Sequence, residues 1–235
     1  MEVYLIAYDS ETLVAAAAKV CYSGKPILDI LSTEYQVDSA KYLEMLMDLG
    51  HESPLEHISF TFAVQGISRA CLAQLTRHRI ASYSVRSQRY VSEAQCSFVV
   101  PPEIERNEEA KACFQNAVRE SLVAYKELVK VLKASYVEGG MDVRDAQKKA
   151  QEDARFVLPN ACETQLMVTM NARELLHFFS LRCCMRAQWE IRELAEKMLK
   201  LCREAAPNIF RNAGAPCVRG YCPEGKLGCG RVEKK

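Results

Sequence analysis

His57-Ile-Ser-Phe-Thr-Phe-Ala-Val-Gln65, continued by Gly66-Ile-Ser68 and Arg69-Ala-Cys-Leu-Ala-Gln-Leu-Thr-Arg77, is the stretch that sets the fold class. In its first half Ile58, Phe60, Phe62 and Val64 alternate with Ser59, Thr61 and Ala63, the period of a half-buried strand. Gly66 is expected to interrupt that strand, Ser68 can cap a helix, and the apolar residues then recur at helical spacing up to Arg77. The reading extends in both directions from this strand and helix. Upstream, Val3 to Tyr8 reads as a strand, Glu11 to Tyr22 as a helix, and Ser39 caps a helix through Leu49 that stops at Gly50. Downstream, residues 107–138 form a long amphipathic helix carrying Phe114, Val118, Leu122, Tyr125, Leu128 and Leu132, ended by Gly139-Gly140. Asp142 to about Phe156 reads as another helix and Thr164 to Met170 as a strand. Asn171 caps a helix through Leu181, and Ala187 to Ala205 is the last helix. No regular βαβ repeat runs through this order. It predicts an α+β fold, a single domain with a mixed or antiparallel sheet and several long helices.

That domain is expected over 1–206. From Pro207 to residue 235 the chain carries Gly214, Pro216, Gly220, Pro223, Gly225, Gly228 and Gly230 with no hydrophobic period, a tail expected to pack little, if at all. The 235 residues amount to roughly 1.6 average domains and bury roughly 70–75% of the unfolded surface, so the fold needs no disulfide or metal staple. Lys plus Arg is 31 against 30 for Asp plus Glu, which argues against bulk-charge binding to nucleic acid or a membrane surface; any anion site is local. No basic region leads into a long apolar run near Met1, and no window approaches the ~18 apolar residues of a membrane span. With an odd count of 11 cysteines, mostly inside helical or strand patterns, this predicts a cytoplasmic protein with reduced thiols.

Residues 77–90, Arg-His-Arg-Ile-Ala-Ser-Tyr-Ser-Val-Arg-Ser-Gln-Arg-Tyr, put four arginines, a histidine and three serines into a charge-balanced chain. Guanidinium groups grip phosphate oxygens in pairs and hydroxyls add neutral donors, each charged hydrogen bond contributing about 1.5–3 kcal/mol. A nucleotide phosphate suits that chemistry. Equally, Arg77, His78 and Arg79 could simply sit at a helix C-terminus, where cations gain about 0.3–1 kcal/mol.

Spelled Arg-His-Arg-x-x-Ser-x-x-x-x-Ser-x-Arg, residues Arg77, His78, Arg79, Ser82, Ser87 and Arg89 resemble the signature of the flavin-dependent thymidylate synthases at every fixed position. The resemblance takes in His51-Glu-Ser-Pro-Leu-Glu-His57, Ala154-Arg-Phe-Val-Leu-Pro159, Asn171-Ala-Arg-Glu-Leu-Leu-His-Phe-Phe-Ser-Leu-Arg182 and Ala187-Gln-Trp-Glu-Ile191, most of the chain before the tail. It implies methylation of dUMP at C5 to dTMP, with 5,10-methylenetetrahydrofolate giving the carbon and FAD, reduced by NADPH, the hydride. It implies Arg182 as the group that stabilises the N3-ionised pyrimidine. Arginine does not readily deprotonate, so that role is electrostatic. It further implies Gln74, Arg77, Ser87, Gln88 (through its backbone), Arg89 and Arg155 as dUMP ligands. Ser53, Arg77, His78, Arg79, Asn171, Arg173 and His177 are implied around FAD, in a homotetramer with shared active sites. On a helix opening at Asn171, positions 173 and 177 share a stripe and 182 lies beside it.

Some members carry Asn and Glu where this chain has Ser84 and Val85, so no carboxylate contact exists at position 85. Arg86 meets either a phosphate or solvent. His51 and His57 flank Glu52 and Glu56 without a zinc spacing. The resemblance puts His51 near flavin and folate, and a plain turn before the strand is the alternative. Trp189 is expected in the core.

Cys202, Cys217, Cys222 and Cys229 could hold zinc, but Cys-x4-Cys-x6-Cys lacks the paired spacing of zinc ribbons, so no metal is expected. Pro216-Cys217 resembles the nucleophile of the other thymidylate synthase family, yet a loose terminal segment is a poor platform for one. Two rival classes make no use of flavin: a single-stranded nucleic-acid binder stacking bases on Tyr83 and Tyr90, and a non-catalytic adaptor with a metal-binding tail.

Overall fold

The computed structural model describes residues 1–34, 39–220 and 222–232, without the side chains of 33 and 34. Tyr221 and residues 233–235 of the tail fall outside it. Along the chain run β1 Glu2–Tyr8, α1 Thr12–Val20, α2 Ile27–Glu34, α3 Ala40–Asp48, β2 Ser59–Ser68, α4 Arg69–Leu75 and β3 Ala81–Val85. Then follow α5 Pro102–Glu105, α6 Glu108–Glu138, α7 Val143–Ala154, β4 Glu163–Asn171, α8 Ala172–Arg182, α9 Trp189–Ala205 and α10 Pro207–Phe210. A four-stranded sheet of order β1-β2-β4-β3 with long helices is the α+β architecture expected.

The chain groups into two compact units. One holds Met1–Gln65, Gln74–Ser84 and Met167–Lys235, the other Gly66–Ala73 and Val85–Leu166. In the first, β1 pairs antiparallel with β2, Glu2 opposite Gln65 and Tyr8 opposite Phe60, with a register shift between Leu5 and Ala7 that accommodates one extra residue. The alternation of β2 works as expected, since Ile58, Phe60, Phe62 and Val64 are buried. Gly66, however, does not end the strand. It takes φ +75°, a conformation glycine adopts without a Cβ penalty, and β2 continues to Ser68. Ser68 Oγ then accepts from Cys71 N at 3.0 Å, the expected cap of α4.

The core of the first unit is a chain of rings. Phe60 meets Phe210 edge-on at 5.3 Å, Phe210 meets Phe179 at 5.9 Å, and Phe179 meets Phe178 at 5.6 Å. Phe178 in turn meets the His78 imidazole at 4.9 Å. Sheet, α8 and α10 thus share one aromatic seam that ends on a titratable ring. The expectation that the chain packs little from Pro207 fails here, because Ile209, Phe210, Ala213 and Ala215 are buried. Arg203 also ties the segment down by donating to the carbonyls of Phe210 and Ala213. Glycine and proline content signalled turns there, and it masked four apolar anchors. Trp189, expected in the core, is half-buried at the start of α9.

In the second unit α7 packs on α6 through Ala146, Ala150 and Ala154, all fully buried at i+4 spacing, where small side chains let helices approach closely. Of the apolar stripe read on α6, only Tyr125 is buried and Leu128 lies exposed, as do Val123 and Val131 outside the stripe. Asn107 Oδ1 and Asp142 Oδ1 cap the two helices by accepting from Ala110 N and Arg144 N. Among the described residues no helix is long and apolar enough to cross a membrane. Replacing Phe210 with Ala should lower the unfolding free energy by about 3–5 kcal/mol in denaturant titrations. A change within about 0.5 kcal/mol would show that the segment after Pro207 is not part of the core.

Candidate active site

Each unit gathers a cluster of site residues. In the first unit α4 ends at Leu75, whose carbonyl accepts from His78 N at 3.0 Å, and the phenol of Tyr83 on β3 reaches back to this turn, its hydroxyl 2.9 Å from the Leu75 carbonyl and 2.7 Å from that of His78. Burial pushes this phenol up to about 12. Tyr83 is therefore a structural clamp and not a platform for stacked bases. The turn it closes points the signature residues alternately, with His78 buried and Arg77 and Arg79 exposed.

His78 is 5% exposed, and both its ring nitrogens are taken. Nδ1 lies 3.0 Å from Glu174 Oε1, and Arg182 Nε donates to Nε2 at 3.1 Å. A guanidinium N–H can only donate, so Nε2 must accept, Nδ1 carries the proton, and the imidazole is neutral. Burial is the largest effect and pushes His78 below its ordinary value of 6.5. The Glu174 hydrogen bond opposes this, and the charge of Arg182 adds to it. Both ring nitrogens of His78 are engaged within the protein. The ring sets the direction of Arg182.

Glu174 carries no sequence signal beyond the capping-box spacing of Asn171-Ala-Arg-Glu174. Asn171 Oδ1 does accept from Glu174 N at 2.8 Å, but the carboxylate turns inward to His78 and does not reach back to close the box.

Asn171, Arg173, Glu174 and His177 line a cavity of about 720 Å3 in the same unit, together with Glu52 and Glu56. Arg173 is ion-paired with Glu52 at 3.4 Å and with Glu56 at 2.5 Å, all three being about half exposed. This accounts for the acidic residues between His51 and His57: they hold an arginine. Exposed Ser53 opens the turn Ser53–His57, which Pro54 and Leu55 anchor by burial. His51 Nδ1 lies 3.4 Å from Tyr22 Oη and lines a separate cavity of about 540 Å3 with Lys19, Tyr42 and Leu46.

In the second unit Ser87, Gln88, Arg89 and Arg155 come together, whereas Gln74, Arg77 and Arg182 belong to the first. Ser87 Oγ accepts from Arg89 N at 3.2 Å, Arg89 pairs with Glu152 at 2.9 Å, and Arg155 Nε donates to the Glu152 carbonyl at 3.1 Å. Arg86 faces inward, giving its Nη2 to the Glu163 carbonyl at 2.9 Å and to Glu93 at 3.4 Å. Arg69 lies 3.8 Å from the same carboxylate and donates to the Arg86 carbonyl at 2.8 Å. Sequence reading missed Glu93, which sits in a polar stretch yet is 1% exposed. Nε of Arg69, Arg86 and Arg89 and Oε1 of Glu93 are buried without a hydrogen-bond partner, so this arginine cluster keeps donors unspent. Tyr90 is exposed and its ring is already faced by Lys148, 4.7 Å from the centroid.

Among the described residues the only group of three metal-binding side chains within 4.8 Å of one another is Glu93, Cys96 and Cys162. Burial pushes the Cys162 thiol up to about 12, which keeps it neutral.

A family model described as thymidylate synthase complementing protein matches residues 4–208. Relatives named flavin-dependent thymidylate synthase include one from Clostridium tetani, 48% identical over 99% of this chain and 94% of its own length. Another from Geobacter sulfurreducens is 48% identical over 95% and 90%, and one from Pyrococcus furiosus is 39% identical over 100% and 96%.

The buried imidazole has a consequence for stability. The unfolded chain protonates it near 6.5 and the folded chain only at lower pH, so between those values the unfolded state binds more protons and stability falls as pH falls. Urea titrations from about pH 7 down to about pH 5 should show this loss, and His78→Gln should remove that part of the pH dependence. An equally steep loss in the variant would assign it to other groups.

Proposed function

The chain belongs to the flavin-dependent thymidylate synthase family, and from that premise we propose that it converts dUMP to dTMP, taking the carbon from 5,10-methylenetetrahydrofolate and the reducing equivalents from NADPH. The observation that carries the reading is the Glu174–His78–Arg182 line, which fixes a guanidinium with a neutral partner behind it.

C5 of uracil is a poor nucleophile until negative charge develops at N3 and the neighbouring carbonyl oxygen. Arg182 stabilises that charge without taking a proton, since guanidinium stays charged throughout. A neutral His78 leaves the full positive charge of Arg182 available, where a carboxylate partner would have offset it. A donor fixed in place before reaction costs no reorganisation at the transition state. Gln74, Arg77, Ser87, Gln88, Arg89 and Arg155 bind the nucleotide. Arg89 exchanges its half-exposed Glu152 for phosphate, and exposed Arg77 is available without breaking an ion pair to any of the described residues.

The residues present suit a flavin dinucleotide. The 720 Å3 cavity offers Arg173, Asn171 and His177 as donors, and Arg77 and Arg79 add exposed cations for a pyrophosphate. Ser53 joins them at the turn, and His78 serves the site from behind. FAD, when bound, supplies the hydride. A homotetramer belongs to the same proposal, supported by the exposed apolar residues Val123 and Val131 on α6.

Arg182→Ala should still bind FAD, and its flavin colour should still bleach with NADPH, while dTMP formation drops about 10²–10³-fold. Near-normal turnover would remove Arg182 from the chemistry, and a chain that takes up no flavin would overturn the reading as a whole.

A further inference from the structure

We propose that Cys184, Cys217, Cys222 and Cys229 form a four-thiolate site for an iron–sulfur cluster. The methylation reading plays no part in this assignment.

All four cysteines line one cavity of about 750 Å3 in the first unit, between the end of α8 and the loops that follow Ala215. Each carries a free thiol, and none is sealed in the core: Cys184, Cys217 and Cys222 are half-buried and Cys229 is exposed. Their neighbours in sequence behave differently. Cys183 and Cys202 are buried and do not line the cavity, so the fourth ligand is Cys184 and not the Cys202 that the sequence suggests.

Spacing leaves room for a group larger than a single zinc ion. A single zinc with Zn–S bonds of about 2.3 Å draws four sulfurs to about 3.8 Å from one another. No three of these cysteines lie within 4.8 Å of one another, so the set stands wider than a zinc tetrahedron. An iron–sulfur cubane, whose thiolates attach outside its four corners, needs that wider set.

The surrounding chain is built to hold such a group. Arg186 Nη1 donates to Glu224 Oε2 and to the Leu227 carbonyl, both at 2.7 Å, pinning the loop between Cys222 and Cys229. A Cβ at Gly228 would stand 3.4 Å from Cys222 Sγ and 3.2 Å from the Gly225 carbonyl, so glycine there lets the loop close over the ligand. Arg182, Arg186, Lys226 and Arg231 line the cavity against Glu224, an excess of three positive charges. Four thiolates around a [4Fe–4S]2+ core carry a net charge of −2, which that excess offsets. Assembly releases four thiol protons. From ferric iron and sulfide, a thiol reductant supplies the two electrons that bring the core to 2+. The bound cluster fastens the tail to the end of α8, two residues beyond Arg182.

The test is metal analysis and Mössbauer spectroscopy on the full chain, isolated without oxygen and reconstituted with ferric iron, sulfide and excess thiol. About four iron and four sulfide per chain are expected, with the spectrum of a cubane. Cys184→Ser and Cys222→Ser should each lose most of the iron, while Cys113→Ser, on α6, should keep it. Should a variant misfold, the wild-type chain still decides, because protease should cut residues 216–232 more slowly with the cluster than after chelation. A chain that stays free of iron, a chain that takes one zinc in its place, iron retained by Cys184→Ser, or equal cleavage in both states would overturn the assignment.

Discussion

A single buried imidazole, held in its neutral form by burial and by the guanidinium beside it, is the constraint from which the first unit takes its form. Arg182 Nε points at His78 Nε2 and Glu174 Oε1 sits at Nδ1, so the ring has one satisfactory state, neutral with its proton on Nδ1. Two further elements exist in their observed form because of it. The Tyr83 hydroxyl closes the turn that delivers His78, and the aromatic seam from Phe60 to Phe178 presses on its ring. A partner that is both uncharged and immobile makes a guanidinium a stronger fixed electrostatic group than an ion pair would, because its charge is not cancelled in advance.

The second unit solves the opposite problem, keeping several cations together. Glu93, almost fully buried, lies between Arg69 and Arg86, while Glu152 holds Arg89 by its carboxylate and Arg155 by its backbone. Buried guanidinium nitrogens left without partners show that this neutralisation is incomplete. A site that must accept a phosphate gains from that shortfall, since donors already satisfied would have to be freed first.

How much of this the sequence discloses follows from the length scale of each signal. Period-two and period-3.6 patterns are local, so β2, α6 and β4 are legible, as are the caps at Ser68, Asn107 and Asn171. β3 escapes notice because five residues with two exposed serines carry too short a pattern, and Gly66 misleads because a strand can pass through a glycine at positive φ. The signature arginines are visible as a basic cluster. Their orientations are not, since Arg86 turns inward to a carboxylate seven residues away and His78 to one 96 residues away. Pairings at that separation leave no periodic trace. The same holds for Cys184 and the tail cysteines, which only the folded chain brings to one cavity.

The central claim is that His78 is a neutral acceptor behind Arg182, and ring-nitrogen NMR of the full chain with labelled histidine tests it most directly. At neutral pH the account predicts an Nδ1–H tautomer that takes up its second proton only below the ordinary value of 6.5. A doubly protonated ring at neutral pH, or a proton resident on Nε2, would contradict it.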